Sequence, residues 1–118
     1  MANLPVQNLI GGGIEPIYNA ASASGDEFVN DGKTFIHIKN GGTLTINVTF
    51  PAQTPFANKP GFGKIPLQDK VVSIQASGEA MIEFLRPAIF NGGNGRVEIR
   101  FDDITNVTVG VFSTPRIS

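Results

Sequence analysis

The clearest fold signal is the stretch Thr43-Leu44-Thr45-Ile46-Asn47-Val48-Thr49-Phe50, in which every even position is apolar and every odd position is Thr or Asn. The stretch Arg96-Val97-Glu98-Ile99-Arg100-Phe101-Asp102 repeats this alternation with charged residues at the polar positions. Successive side chains of a β-strand point to opposite faces, so a period of two predicts strands with one buried and one wet face. A helix would spread the same side chains around its axis.

The same period recurs more weakly in four further segments, residues 34–40, 71–76, 79–84 and 107–111. Residues 4–10 and 14–18 are predicted as edge strands because each holds a proline, which cannot donate a hydrogen bond to a sheet. Sequences rich in Asn and Gly separate these segments and are typical of turns. The sequence therefore predicts an all-β fold, an antiparallel β-sandwich or jelly roll of about eight strands.

The inward positions of these strands give the predicted core. They are Ile36, Ile38, Leu44, Ile46, Val48, Val72, Ile74, Ile82, Phe84, Val97, Ile99, Phe101, Val107, Val109 and Val111.

The chain is predicted to form a single domain, residues 1–118, with an N-terminal arm at residues 1–13 and a long proline-rich loop at residues 51–70. A connection of that length in a small domain is usually functional, unless it contains an undetected strand. The loop carries Phe56 and Phe62, whose rings can either anchor a partner or close one end of the sandwich.

Composition excludes several classes of function. Nine basic and ten acidic residues are scattered along the chain, so no basic stripe is available for nucleic-acid phosphates. The chain has no cysteine, which excludes disulfides, thiolate nucleophiles and Cys-ligated zinc. No window is apolar enough to predict a membrane span. We therefore expect neither a nucleic-acid nor a membrane partner.

Catalytic and metal-binding residues are not predicted either. The one histidine, His37, falls on the polar face of the strand at residues 34–40, and we expect it to face solvent. The acidic doublets Asp26-Glu27 and Asp102-Asp103 would point to opposite faces in a strand, so turn and surface roles are favoured for them. The sequence thus predicts a protein that is not an enzyme and needs no cofactor or metal.

Residues 25–42, GDEFVNDGKTFIHIKNGG, resemble the head decoration (cement) proteins of tailed bacteriophages, a family of small β-sandwich virion proteins. The similarity resumes further along the chain, over residues 67–72, 84–91, 95–99 and 105–109. The shared pattern consists of turns and strand alternation rather than catalytic residues. Residues 51–66 depart from it, because they are longer and richer in proline and aromatic residues than the family pattern.

The resemblance implies a structural virion protein that is soluble in the host cytoplasm before assembly and then binds and stabilises the major capsid protein lattice at the capsid surface. Such proteins commonly act as trimers, so a homo-oligomer, with a trimer favoured, is expected. The predicted interface combines apolar residues of the edge segments and the long loop: Leu4, Val6, Ile10, Ile14, Phe56 and Phe62.

Two alternatives stay open. The chain can be another head-completion or tail component of the same virion, or a carbohydrate-binding β-sandwich module. Carbohydrate-binding faces usually carry Trp or Tyr platforms, and this chain has no Trp and only Tyr18.

Overall fold

A computed structural model describes residues 2–10, 12–53, 56–59, 61, 63–83 and 86–114, with the backbone alone at 56–59, 64–66 and 88. Within this part, the chain forms twelve strands and one short helix. The strands are β1 (Ala2–Asn3), β2 (Val6–Asn8), β3 (Asn19–Ala20), β4 (Asp26–Val29), β5 (Thr34–Asn40), β6 (Ile46–Phe50), β7 (Phe56–Lys59), β8 (Gly63–Pro66), β9 (Lys70–Ile74), β10 (Glu79–Ile82), β11 (Arg96–Phe101) and β12 (Val107–Ser113); the helix is α1 (Pro87–Phe90).

Ten of these strands build two five-stranded sheets. Sheet 1 has the order β1-β4-β11-β6-β9, and sheet 2 has the order β10-β5-β12-β2 with β3 also paired to β12. The pairs β1–β4 and β2–β12 are parallel, and the other pairs are antiparallel. The all-β prediction is confirmed, whereas a jelly roll of about eight strands is not, because the two sheets contain ten.

The two sheets share one hydrophobic core. Phe28 and Phe50 of sheet 1 are its largest fully buried side chains, and the sheet 2 residues Ile36 and Ile38 pack in the same cluster. Alternation predicted this core because the side chains that enter it come from every second position of a strand, as the pattern of β5 shows. The predicted core residues that are buried are Ile36, Ile38, Ile46, Val48, Ile74, Ile82, Val97, Ile99, Val107, Val109 and Val111.

Three predicted core residues differ. Val72 and Phe101 are only partly buried, although they pack against the cluster. Leu44 was wrongly placed in the core, since its side chain is 65% exposed. Strand β6 begins two residues later, and the carbonyl of Leu44 accepts a hydrogen bond from the Asn40 side chain in the preceding turn. Phe84 lies outside the described residues.

The predicted N-terminal arm is an integral part of both sheets. Its first strand, β1, pairs with β4 in sheet 1, and β2 pairs with β12 in sheet 2. Leu4 lies between the two strands and is 4% exposed. The arm therefore crosses from one sheet to the other, and the Leu4 side chain inserts into the core at the crossing.

Two other segments differ from the prediction. Residues 14–18 are not an edge strand; the pairing with β12 begins after them, at β3. Residues 51–70 contain the hairpin β7–β8. This segment was predicted as a loop because its prolines are unusual in strands.

Candidate functional site

The structure describes the side chains of four of the six predicted interface residues, and these four differ in exposure. Leu4 is buried in the core, which removes it from any exposed interface, and Val6 is partly buried against the same cluster. Ile14 is half-buried, and Ile10 is 63% exposed just after β2. Phe56 begins β7, where only its backbone is described, and Phe62 lies outside the described residues.

Residues 14–18 cross the outer face of sheet 2, and we call this segment the strap. The side chain of Gln7 holds it much as a neighbouring strand would. Its Nε2 donates to the carbonyl of Ile17 at 2.8 Å, and its Oε1 accepts from the amide of Ile17 at 2.8 Å. Gly110 of β12 leaves room beneath, because a Cβ there would lie 3.0 Å from the Tyr18 ring. The strap is therefore fixed by side chains and by a glycine in the strand below.

The end of the strap joins a row of three polar side chains. The Tyr18 hydroxyl lies 2.7 Å from Nδ1 of His37, and Nε2 of His37 lies 2.6 Å from Oε1 of Glu79. A carboxylate can only accept, so Nε2 carries a hydrogen, and in the neutral imidazole Nδ1 then accepts from the tyrosine hydroxyl. The expectation that His37 faces solvent is wrong, since its side chain is 15% exposed.

This row has the order carboxylate, imidazole, hydroxyl, which is the order of groups that transfer a proton from a nucleophile. Its surroundings point to a different use. The Lys39 ammonium lies 4.0 Å from the centre of the Tyr18 ring, and Phe112 packs edge-on against the same ring at 6.0 Å. These contacts fix the ring on the sheet, so that its hydroxyl is committed to His37. The row thus ties the strap to β5 and β10.

The outer face continues into a cleft next to the stacked rings of Phe35 and Phe112, whose centres are 5.3 Å apart. The cleft has a volume of about 570 Å³ and is open to solvent. Its lining includes Lys33, Thr34, Phe35, Met81, Glu83 and Thr114. Met81 is 67% exposed, so this end of sheet 2 presents apolar surface between two charges of opposite sign.

The hairpin β7–β8 forms a separate sheet, and within the described part its strands pair only with each other. Its base is held at two points. The amide of Ala52 donates to Oδ1 of Asp69 at 2.8 Å, which joins the two ends of the segment. The amide of Gln53 donates to the carbonyl of Ile89 in α1 at 2.8 Å. The hairpin is therefore anchored to the sandwich at its base.

Two carboxyl groups have shifted pKa values. Burial raises the pKa of Asp26, although the Ser22 amide donates to its Oδ2 at 3.2 Å. Its Oδ1 is buried and has no hydrogen-bond partner among the described residues. The surface role predicted for Asp26 is therefore wrong. Asp103 keeps its predicted turn role, because hydrogen bonds from Thr105 lower the pKa of its carboxyl.

The described residues contain no group of three or more His, Cys, Asp or Glu side chains arranged to hold a metal ion. No helix in this part of the chain has the length and apolarity needed to cross a membrane. No family model, curated protein or solved structure matches this chain. The resemblance to phage decoration proteins accordingly stays a prediction.

Sequence reasoning missed the strap and its row of polar side chains. The contacts that build them join residues far apart in the chain, such as His37 and Glu79. One local signal was present: Gly110 interrupts the apolar strand β12, and a glycine inside a strand often marks the close approach of another segment.

Proposed function

We propose that this chain is a non-enzymatic structural virion protein, a capsid decoration protein that binds and stabilises the major capsid protein lattice. It would be soluble in the host cytoplasm before assembly and then occupy the capsid surface as a homo-oligomer, for which the resemblance implies a trimer. The proposal rests first on the resemblance of residues 25–42, which the structure folds as β4, a turn and β5. These residues indicate a fold and not a binding surface, so the binding role must be argued from other residues.

The observation that carries the binding role is apolar surface where the arm meets the strap. Leu9 and Ile10 follow β2 and are 37% and 63% exposed, and Ile17 is 59% exposed. The pair of hydrogen bonds from Gln7 holds Ile17 beside the arm. Single exposed apolar residues are normal, but several large ones in one region indicate a protein contact.

The hairpin offers a second contact. Among the described strands β7 and β8 pair only with each other, and an isolated two-stranded hairpin is marginally stable in water, so a partner surface would stabilise it. Its anchored base fixes where it leaves the sandwich. Many copies on a capsid lattice bind together, so modest contacts from each are sufficient.

The alternatives have less support. For a carbohydrate-binding module, the outer face of sheet 2 supplies aromatic rings, but Phe112 is 4% exposed and the Lys39 ammonium lies over the Tyr18 ring, 4.0 Å from its centre. Neither ring then offers the open platform that sugars stack on. Another head-completion or tail component of the virion would use the same apolar surface, and the binding assay below separates it from a decoration protein.

The test is co-sedimentation with heads assembled from the major capsid protein of the phage that supplied the gene. If Ile10 and Ile17 each bury about 80 Å² on the head, each contributes about 2 kcal/mol, or roughly thirtyfold in affinity. Ile10→Ser and Ile17→Ser should therefore each weaken binding. Leu44→Ser is the matched control, because Leu44 is 65% exposed in the turn before β6. Phe56→Ser and Phe62→Ser test the hairpin in the same way.

Binding to isolated tails but not to heads would favour the tail component. Failure of the wild-type protein to bind either would contradict the virion proposal. Equal weakening by Leu44→Ser and the two isoleucine variants would contradict the assignment of the surface while leaving head binding intact.

A further inference from the structure

Strand β9 is the longest open edge of the two sheets. It has five residues and pairs only with β6 among the described strands. The other edge strands are shorter: β1 and β3 have two residues each, β2 has three and β10 has four. An edge strand presents unpaired backbone N–H and C=O groups, so β9 is the part of the protein best able to accept another strand.

This edge lacks the features that usually protect one. Its sequence is Lys70-Val71-Val72-Ser73-Ile74, with no proline and with its one charge at the first position. Val71 is 58% exposed, and Val72 is only partly buried because sheet 1 ends there. Strand β10 differs, since the Glu79 carboxylate at its start is bound to His37. Unprotected, apolar and β-branched edges are the ones that pair with other chains.

We propose that β9 pairs antiparallel with β9 of a second copy of this chain, across a two-fold axis at Val72. The strand is self-complementary in this register. Val71 would lie opposite Ser73 on the outer face, and Lys70 would lie opposite Ile74, so like charges do not face each other. Val72 would meet its own copy on the inner face and close the end of the core.

This arrangement joins the two copies of sheet 1 into one continuous sheet. It satisfies backbone groups at the edge and covers apolar side chains of β9 without rearranging either sandwich. The inference does not depend on the virion proposal. A two-fold contact gives assemblies with an even number of chains, so a trimer would exist only as half of a six-chain assembly.

The register can be tested with cysteines, because the chain has none of its own. Val71→Cys and Ser73→Cys lie at exposed positions of β9. Residues directly opposite in an antiparallel pair have Cα atoms about 4.5–5.5 Å apart, which is within the range for a disulfide, whereas residues one pair removed are further apart. An oxidised mixture of the two variants should form covalent dimers, and each variant alone should not. Cross-linking of either variant alone to the same extent would overturn the register.

The pairing itself is tested by the mass in solution, measured by light scattering. The wild-type protein should contain an even number of chains. A Val71→Lys/Ser73→Lys variant places lysines from both copies along the contact and should reduce the mass to one chain. Met81→Lys is the matched control, since Met81 is 67% exposed on the other edge strand, β10, and should leave the mass unchanged. A wild-type mass of one or three chains, or equal dissociation by the control, would overturn the proposal.

Discussion

The strap depends on the absence of a side chain at position 110, and Gly110→Ala tests this directly. The added Cβ would lie 3.0 Å from two carbons of the Tyr18 ring and 3.1 Å from the carbonyl oxygen of Ile17. The ring must move, which loosens its hydrogen bond to His37, worth about 1 kcal/mol, and its contact with the Lys39 ammonium, worth about 0.5–1 kcal/mol. Replacing a strand glycine by alanine stabilises the folded state by about 0.5–1 kcal/mol, because alanine loses less conformational entropy on folding. The net loss of stability is therefore about 1 kcal/mol.

The loss is measured as the free energy of unfolding in urea. Gly93→Ala is the matched control, because an added Cβ there has no atom within 4 Å, and it should cost nothing or stabilise slightly. The mechanism is isolated by repeating Gly110→Ala in a Tyr18→Ala background, where the ring is absent. The coupling between the two positions should be about 1.5–2 kcal/mol, because without the ring the alanine should stabilise the protein by about 0.5–1 kcal/mol. If Gly110→Ala costs as much without the ring as with it, then the ring is not what the glycine accommodates.

Three further predictions concern the core, the buried carboxyl group and the histidine. Ile99→Ala removes a fully buried side chain and should lower the free energy of unfolding by about 2–4 kcal/mol; a change below about 0.5 kcal/mol would contradict the strand register. The raised pKa of Asp26 means that the folded state holds this proton more tightly than the unfolded state, so wild-type stability falls as pH rises from the ordinary carboxyl pKa through the raised one. Asp26→Asn removes the titrating group and so abolishes this fall. The free energy of unfolding of the variant, relative to wild type, should therefore be higher at pH 7 than at pH 3.5. The same relative value at both pH values would contradict the raised pKa of Asp26. His37→Ala removes two hydrogen bonds and should cost about 1–2 kcal/mol in urea unfolding but leave head binding intact, because the Gln7 side chain still holds Ile17; loss of binding by the folded variant would contradict this expectation.

Local alternation predicted the central strands because their environment repeats along the sequence. In β5 and β11, each buried residue is followed by a more exposed one, so the pattern can be read without knowing the neighbouring strand. Strand β4 was missed because it buries Asp26 on the same face as Phe28. An aspartate usually marks an exposed position, so its place in the sequence did not indicate a buried strand. Nothing local distinguishes that aspartate from one in a turn.

The candidate site was predicted only in part. Ile10, which is a predicted interface residue, is exposed, whereas Leu4 in the same segment is buried because its side chain inserts into the core. The strap looked like a strand because it combines Ile14, Ile17 and a proline. Its backbone is instead hydrogen-bonded to the side chain of Gln7. Such a contact produces no periodic pattern in the sequence and could not be predicted from it.

The parallel pairing of β2 with β12 has a consequence for how the chain folds during synthesis. Val6 pairs with Val111 and Asn8 with Ser113, so strands from opposite ends of the chain must meet. The ribosome makes residues 6–8 long before residues 111–113, and until the later strand emerges the earlier one has no place in sheet 2. Such long-range pairings make folding slow, because a large loop must close before the contacts that stabilise it exist. Until β12 emerges, residues 6–8 lack their partner strand in sheet 2, and when many copies are made at once they are free to pair between nascent chains.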